Sequence, residues 1–238
     1  MEKRITIITG HYGSGKTEFA INYCLKLKAG HEKTALIDLD IANPYFRSRE
    51  KQKMLEGEGV SVYSNTFGYD ITADFPAISA AIRAPLEDGG TYAVIDAGGD
   101  DSGARVLSQF RKYFGEESDM LFVVNANRPE TKTLEGVAGH MASVTGETGL
   151  DISGIVNNTH LLSETGAKDI IKGYELCRSV SGSLGIPLLF SCCRSDLCDE
   201  LEKEASESGY DFNIFPLTIY MRDAWMDNTN VRRIKHGK

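Results

Sequence analysis

The chain has 238 residues, of which 41% are hydrophobic and 25% are charged, and its formal net charge at pH 7 is −8. These values are typical of a folded globular protein and exclude a largely disordered chain. The excess of acidic residues argues against a broad nucleic-acid or anionic-membrane surface, so we expect no nucleic-acid partner.

Short apolar runs rich in β-branched residues alternate with segments of helical periodicity. The runs predict strands at 4–9, 34–39, 60–63, 92–95, 120–125, 152–157 and 187–190. The intervening segments predict helices at 16–28, 45–55, 72–84, 103–114, 129–143, 164–183 and 196–205. This alternation predicts one α/β domain over 1–238, with a mainly parallel twisted sheet of about seven strands and helices on both faces.

The sequence GHYGSGKT at 10–17 follows the first predicted strand and matches the phosphate-binding motif G-x-x-x-x-G-K-[ST] at every fixed position. Its glycines allow consecutive main-chain N–H groups to approach phosphate oxygens beside the positive end of a helix. Lys16 is predicted to contact the β- and γ-phosphates in catalysis, and Thr17 to ligate Mg²⁺. A glycine-rich turn of a dinucleotide fold would leave this Lys-Thr pair unexplained. The predicted nucleotide contacts here are Gly10, Gly13, Ser14, Gly15, Lys16, Thr17 and Glu18.

Three aspartates lie at the ends of predicted strands. Asp96 follows two apolar residues and is predicted to hold Mg²⁺ through water and to act in catalysis, while the N–H of Gly99 approaches the γ-phosphate from a switch loop. Asp38 and Asp40 lie on the same side of an extended chain, so Asp38 is predicted near the metal and Asp40 beside the attacking water. The alternatives are a helix cap at Asp96 and solvated loop charges at the other two.

Two asparagines, Asn157 and Asn158, stand at the end of the predicted strand at 152–157. P-loop GTPases usually carry Asn-Lys-x-Asp at such a strand end, whereas this chain has Asn-Asn-Thr-His. An asparagine amide can donate to adenine N7 and accept from N6, so the sequence favours ATP over GTP, with Asn157 or Asn158 at the base. The alternative is an Asx turn that closes the strand.

With the phosphate loop, LIDLDIANP and VIDAGGDD in this order, the chain resembles the MinD/ParA-type P-loop ATPases over residues 5–201. This group also contains nitrogenase iron protein, the arsenite-pump ATPase and cobyrinic acid a,c-diamide synthase domains. The resemblance implies phosphate contacts from Gly13 to Thr17, Mg²⁺ on Thr17, water activation by Asp40 and switch behaviour from Asp96 to Gly99.

The chain departs from that group early in the phosphate loop. The group usually has a second lysine there, which reaches the partner's nucleotide in a dimer, but His11 and Tyr12 stand at these positions. A neutral imidazole does not replace a permanent cation at pH 7. We therefore expect slow hydrolysis by the chain alone and leave a homodimer open. Arg47 or Arg49 could supply the missing charge, although surface arginines are commoner.

The leading hypothesis is a Mg²⁺-dependent ATPase that acts as a nucleotide-driven switch on an unknown protein partner. One alternative is a ligase or kinase similar to dethiobiotin synthetase or cobyrinate synthase, with a small-molecule acceptor near Tyr69, Asp70 and Asp74. Another is a metal-handling accessory ATPase that uses the C-C-x₄-C segment at 192–198. That spacing is not a recognised zinc or iron–sulfur pattern, which favours buried structural cysteines.

The sequence has no apolar run long enough for a signal peptide or a membrane span. We therefore expect a cytoplasmic protein whose five cysteines are reduced thiols. The segment FPLTIYMRDAWMD at 215–227 is predicted to pack on the domain beside a polar helix.

Overall fold

A computed structural model describes residues 3–40, 48–64, 80–99 and 101–222. In this part of the chain eight strands form one sheet: β1 (Ile5–Thr9), β2 (Thr34–Leu39), β3 (Val60–Ser64), β4 (Tyr92–Ala97), β5 (Ser118–Val124), β6 (Gly154–Asn157), β7 (Leu188–Arg194) and β8 (Ile214–Leu217). The strand order is β3-β2-β4-β1-β5-β6-β7-β8, and every neighbouring pair is parallel. The predicted α/β class and parallel sheet are confirmed.

Seven α-helices occur in the described ranges: α1 (Lys16–Gly30), α2 (Gln52–Gly57), α3 (Ala80–Glu87), α4 (Asp101–Gln109), α5 (Leu134–Thr148), α6 (Ala167–Leu184) and α7 (Cys198–Ser208). The helix predicted at 129–143 is split into a 3₁₀ turn at Pro129–Thr131 and α5. The split follows from Thr133, whose hydroxyl accepts a hydrogen bond from the N–H of Gly136 and so caps a new helix. The first residues of the helices predicted at 45–55 and 72–84 lie outside the described ranges.

Helices cover both faces of the sheet, as the sequence predicts. Side chains of β1 alternate between the two faces, because successive residues of a strand point in opposite directions. Ile5 and Ile7 belong to one buried cluster with residues of α3 to α6. Ile8 belongs to a second cluster, which contains the buried side of α1 and Leu55 of α2.

The eighth strand was not predicted. β8 lies at the edge of the sheet, where it pairs with β7 through Ser191 to Arg194. Its third residue, Pro216, cannot donate to a neighbouring strand, and an edge position tolerates this loss. The segment 215–227 therefore begins as a strand, and its residues after 222 lie outside the described ranges.

The sheet topology brings the ends of distant segments together. β1 lies between β4 and β5, and β4 also pairs with β2. Because the strands are parallel, the loops that follow them meet at one edge of the sheet, where ligands of open α/β sheets bind. In the described ranges no helix combines the length and apolar character needed to cross a membrane.

Candidate functional site

The loop between β1 and α1 is tight and depends on its glycines. Gly13 and Gly15 have φ values of 74° and 80°, in the left-handed region that favours glycine. A Cβ atom on Gly10 would lie 2.3 Å from the carbonyl oxygen of Val123, so a side chain is excluded there as well. Gly15 precedes α1 and offers no side-chain cap. The first N–H groups of α1 are therefore without a side-chain acceptor at the N-cap, as an anion-binding helix end requires.

Two side chains from neighbouring strand ends hold the carbonyl groups of this loop. Nε of Arg128 donates to the carbonyl oxygen of Gly13 at 3.0 Å, and Nδ2 of Asn158 donates to that of Ser14 at 2.8 Å. The loop is thus fixed before a ligand binds, which lowers the entropic cost of binding. Arg128 was not predicted as a site residue, since an arginine after a strand carries no motif.

Lys16 and Thr17 begin α1 at the base of the loop, and only 6% and 8% of their surfaces are exposed. A buried ammonium group requires negative partners. Lys16 interacts electrostatically with Asp96 on β4, which is paired in register with Asp38 on β2.

Asp38 is the buried centre of a small network. Its Oδ1 accepts from the N–H of Asp40 at 3.1 Å, and its Oδ2 accepts from the N–H of Arg49 at 3.3 Å. Nε of Arg49 also lies 3.3 Å from Oδ2, so the charge of Arg49 is paired with Asp38. Burial raises the pKa of Asp38 even though Arg49 opposes the rise. Asp38 and Asp40 are therefore buried, not solvated loop charges.

Asp96 is fully buried at the end of β4, and the structure shows no hydrogen bond from a described helix N-terminus to its carboxyl group, so the alternative of a helix cap gains no support. Neither of its oxygens makes a well-formed hydrogen bond to a described residue. Burial is the largest cause that raises its pKa to about 8, followed by the charges of Asp38 and Asp40, while Lys16 and the Thr17 hydroxyl oppose the rise. A buried carboxyl without partners is costly, and a bound cation would remove this cost.

The loop after β4 packs directly on the phosphate loop. A Cβ atom on Gly99 would lie 1.7 Å from the carbonyl oxygen of Gly10, so only glycine fits. The carbonyl oxygen of Gly99 also lies 2.8 Å from Nε2 of His140 on α5. The ring of His140 contacts the ring of His11 edge-on at 5.0 Å between centroids. Gly99 thus links the phosphate loop to α5, as a switch segment would.

The structure separates the roles of the two asparagines. Nδ2 of Asn157 donates to the carbonyl oxygen of Ile170 at 3.0 Å and to Oγ of Ser191 at 3.3 Å. Its Oδ1 accepts from the N–H of Thr159 at 3.2 Å, which is the Asx turn considered as the alternative. Asn157 is therefore a structural residue, and the expectation of a base contact is corrected to Asn158, which lines the cleft described next.

A cleft of about 630 Å³ extends from the phosphate loop to the ends of β6, β7 and β8. Its walls include exposed side chains of Tyr12, Leu162 and Ile219. His160 also lines the cleft, and burial, with a smaller effect of Arg128, lowers its pKa to about 4, so its imidazole is neutral at pH 7. The apolar walls and the size of the cleft suit a planar base next to a phosphate site.

Glu18 lines the cleft, and its carboxylate holds main-chain groups there. Its two oxygens accept from the N–H groups of Tyr220 and Met221, at 2.6 and 3.1 Å. The predicted nucleotide contact of Glu18 stays a prediction.

The fold is similar to those of many solved structures, and three of them are described here. FtsY from Thermotoga maritima has a TM-score of 0.50 and 20% identity over 78% of this chain and 60% of its own. The signal recognition particle 54 kDa protein from Aeropyrum pernix, in complex with GDP, has a TM-score of 0.50 and 21% identity over 77% and 40%. Chloroplast FtsY from Physcomitrella patens has 0.54 and 18% over 80% and 58%.

This chain has the P-loop NTPase fold. It spans about 40 to 60% of the length of these three proteins, and identities near 20% establish the fold alone. Comparison with protein-family models and with curated proteins gave no match.

Within the P-loop NTPase fold, the five cysteines are free thiols. Cys192 and Cys193 are buried in different hydrophobic clusters, as expected for neighbours on a strand. Among the described residues no group of three His, Cys, Asp or Glu side chains could hold a metal ion. The cysteines are thus packed as small apolar residues, and the metal-handling hypothesis gains no support.

Several predicted residues lie outside the described ranges. They are Arg47, which was considered for the missing charge, and the acceptor-pocket residues Tyr69, Asp70 and Asp74.

Proposed function

We propose that the protein binds Mg²⁺-ATP in this cleft, hydrolyses it slowly, and acts as a nucleotide-driven switch of the MinD/ParA type on a protein partner. The observation that carries the proposal is the pairing of a preformed phosphate loop with the buried carboxyl group of Asp96, whose oxygens make no well-formed hydrogen bond to a described residue. Lys16 and Thr17 begin α1 directly after the loop, and both oppose the rise in the pKa of Asp96. A cytoplasmic location and a homodimer remain predictions from the sequence.

Mg²⁺ fits the residues that are present. In nucleotide sites this ion usually takes only one or two protein carboxylates and otherwise binds water and phosphate oxygens. The Thr17 hydroxyl and Asp96 would hold it, with Asp38 farther out. When bound, the ion neutralises charge on the β- and γ-phosphates.

The protein's own groups supply the rest of the proposed chemistry. Lys16 and the loop N–H groups bind the phosphate oxygens and stabilise the charge that develops during cleavage. Asp40 is buried beside Asp38 and orients the attacking water. The N–H of Gly99 would reach the γ-phosphate in the nucleotide-bound state, and loss of that phosphate would let this segment return to the position in which Gly99 contacts His140.

The orientation of Asn158 supports ATP over GTP. Its Nδ2 donates one hydrogen to the carbonyl oxygen of Ser14, which leaves the second Nδ2 hydrogen and Oδ1 for a ligand. An amide that donates to N7 and accepts from the exocyclic amine suits adenine, whereas guanine presents two acceptors at these ring positions. Because one structural neighbour was solved with GDP, GTP is the necessary comparator.

The test is steady-state hydrolysis of ATP and GTP with Mg²⁺ by the wild type and Lys16→Ala. We expect ATP to be preferred and Lys16→Ala to lose about 100-fold or more in rate, the cost typical of removing a charge-stabilising donor. Lys203→Ala, on the exposed surface of α7, is the matched control and should retain full activity. Hydrolysis by Lys16→Ala at the wild-type rate would refute the site assignment.

A further inference from the structure

We infer that Glu18 and Asn22 are positioning residues that hold a C-terminal strap, residues 218–222, as the cleft wall on which the nucleotide base rests. The inference rests on the proposed function, because it assigns the base side of the same cleft. The contact joins the start of α1 to the residues that follow β8.

Two side chains one helical turn apart bind the main chain of the strap. Asn22 accepts from the N–H of Thr218 and donates to its carbonyl oxygen, both at 2.9 Å. Glu18 accepts from the N–H groups of Tyr220 and Met221 at 2.6 and 3.1 Å. Residues four apart on a helix lie on the same face, so α1 presents both to the strap. Four hydrogen bonds thus join the side chains of α1 to the main chain of the strap.

These contacts fix the direction of the strap side chains. Met221 is buried in the same cluster as Phe19 of α1, while Ile219 remains 42% exposed and lines the cleft. Leu217 and Arg222 also line it. An exposed isoleucine held beside a phosphate loop offers an apolar face to a planar base.

The strap is distinct from the phosphate-binding part of the site. Phosphate recognition depends on Lys16 and on the loop at 10–15. Arg128 and Asn158 hold the carbonyl groups of that loop by hydrogen bonds. In the part of the chain that the structure describes, the side chains of Glu18 and Asn22 make hydrogen bonds to the strap and within α1, and none to that loop. Loss of the strap contacts should therefore weaken binding of the base and spare binding of the polyphosphate.

The experiment compares the affinities of Mg²⁺-ATP and Mg²⁺-tripolyphosphate by calorimetry. Tripolyphosphate has the charged chain of ATP without ribose or base. For Glu18→Gln and Asn22→Ala we expect the Kd for ATP to rise about tenfold, equivalent to about 1.4 kcal/mol, and the Kd for tripolyphosphate to stay within about twofold of the wild type. Glu200→Gln, on the surface of α7, is the matched control and should change neither.

Two results would overturn the inference. One is an unchanged Kd for ATP in both variants; the other is an equal loss for ATP and tripolyphosphate, which would place the effect in the phosphate loop. Circular dichroism will show which variants are folded. If Glu18→Gln is not folded, the affinities of Asn22→Ala alone decide the test. If the wild type binds tripolyphosphate but not ATP, the proposed function fails; if it binds ATP and both variants match it, only the strap inference fails.

Discussion

Replacing Asp96 by asparagine should stabilise the nucleotide-free protein while removing its Mg²⁺-dependent activity. Asp96 is fully buried, and neither of its oxygens makes a well-formed hydrogen bond to a described residue. Asparagine has nearly the same shape and no charge. The substitution therefore removes the cost of ionising a buried group together with the carboxylate that the bound ion requires.

The magnitude follows from the pKa of Asp96, which is raised from 3.8 to about 8. A shift of about four units corresponds to roughly 5 kcal/mol of unfavourable free energy once the group is ionised. The asparagine amide would itself lack partners, at a cost of roughly 1–3 kcal/mol. We therefore expect Asp96→Asn to raise the free energy of unfolding by about 2–4 kcal/mol above pH 8.

The raised pKa of Asp96 makes the wild-type protein less stable as the pH rises. Between about pH 4 and pH 8 the folded protein retains a proton on Asp96 that the unfolded chain releases, so the wild-type free energy of unfolding falls as the pH rises through this window. Below pH 4 both states are protonated and this contribution disappears. In Asp96→Asn the free energy of unfolding should not show this decline between about pH 4 and pH 8.

The assay is urea unfolding of the nucleotide-free protein at pH 5 and pH 8, followed by ATP hydrolysis with Mg²⁺. Asp151→Asn, at an exposed position, is the control and should behave as the wild type in both. An Asp96→Asn protein that is no more stable than the wild type at pH 8, or that keeps Mg²⁺-dependent hydrolysis, would show that Asp96 is not a buried cation ligand.

Two further substitutions test neighbouring parts of the site. Gly99→Ala should place a methyl group against the carbonyl oxygen of Gly10 and reduce ATP affinity at least tenfold in calorimetry. The control Gly89→Ala, with no atom within 4 Å of the added carbon, should not change the affinity. Equal affinities of the two variants would show that Gly99 has no role in the switch. Asn157→Ala should lower the free energy of unfolding by roughly 1–3 kcal/mol, because it removes buried hydrogen bonds. Asn158→Ala should chiefly weaken ATP binding. If Asn158→Ala lowers stability and Asn157→Ala weakens ATP binding, the roles assigned to these two asparagines are wrong.

The sequence predicted those features that are encoded locally. The phosphate motif fixed the positions of β1, the loop and α1, because glycine spacing, the Lys-Thr pair and the flanking periodicity all lie within one short segment. The acidic residues were predicted at strand ends for the same reason, and the parallel register of β2 and β4 then brings Asp38 and Asp96 together.

The features that were missed depend on contacts between distant segments. β8 is only four residues long and contains Pro216, so it gives no strand signal in isolation. The hydrogen-bond partners of the Glu18 carboxylate lie 202 and 203 residues away in the chain. Arg128 reaches Gly13 across 115 residues. No local pattern encodes such hydrogen bonds.

Calorimetric titration of the folded protein with Mg²⁺-ATP, with Mg²⁺-GTP as comparator, tests the central claim most directly. We predict saturable binding of one ATP per chain, weaker binding of GTP, and loss of the ATP signal in Lys16→Ala. Absence of heat with either nucleotide, from protein shown to be native by circular dichroism, would contradict the claim that this loop and its buried aspartates form a nucleotide site.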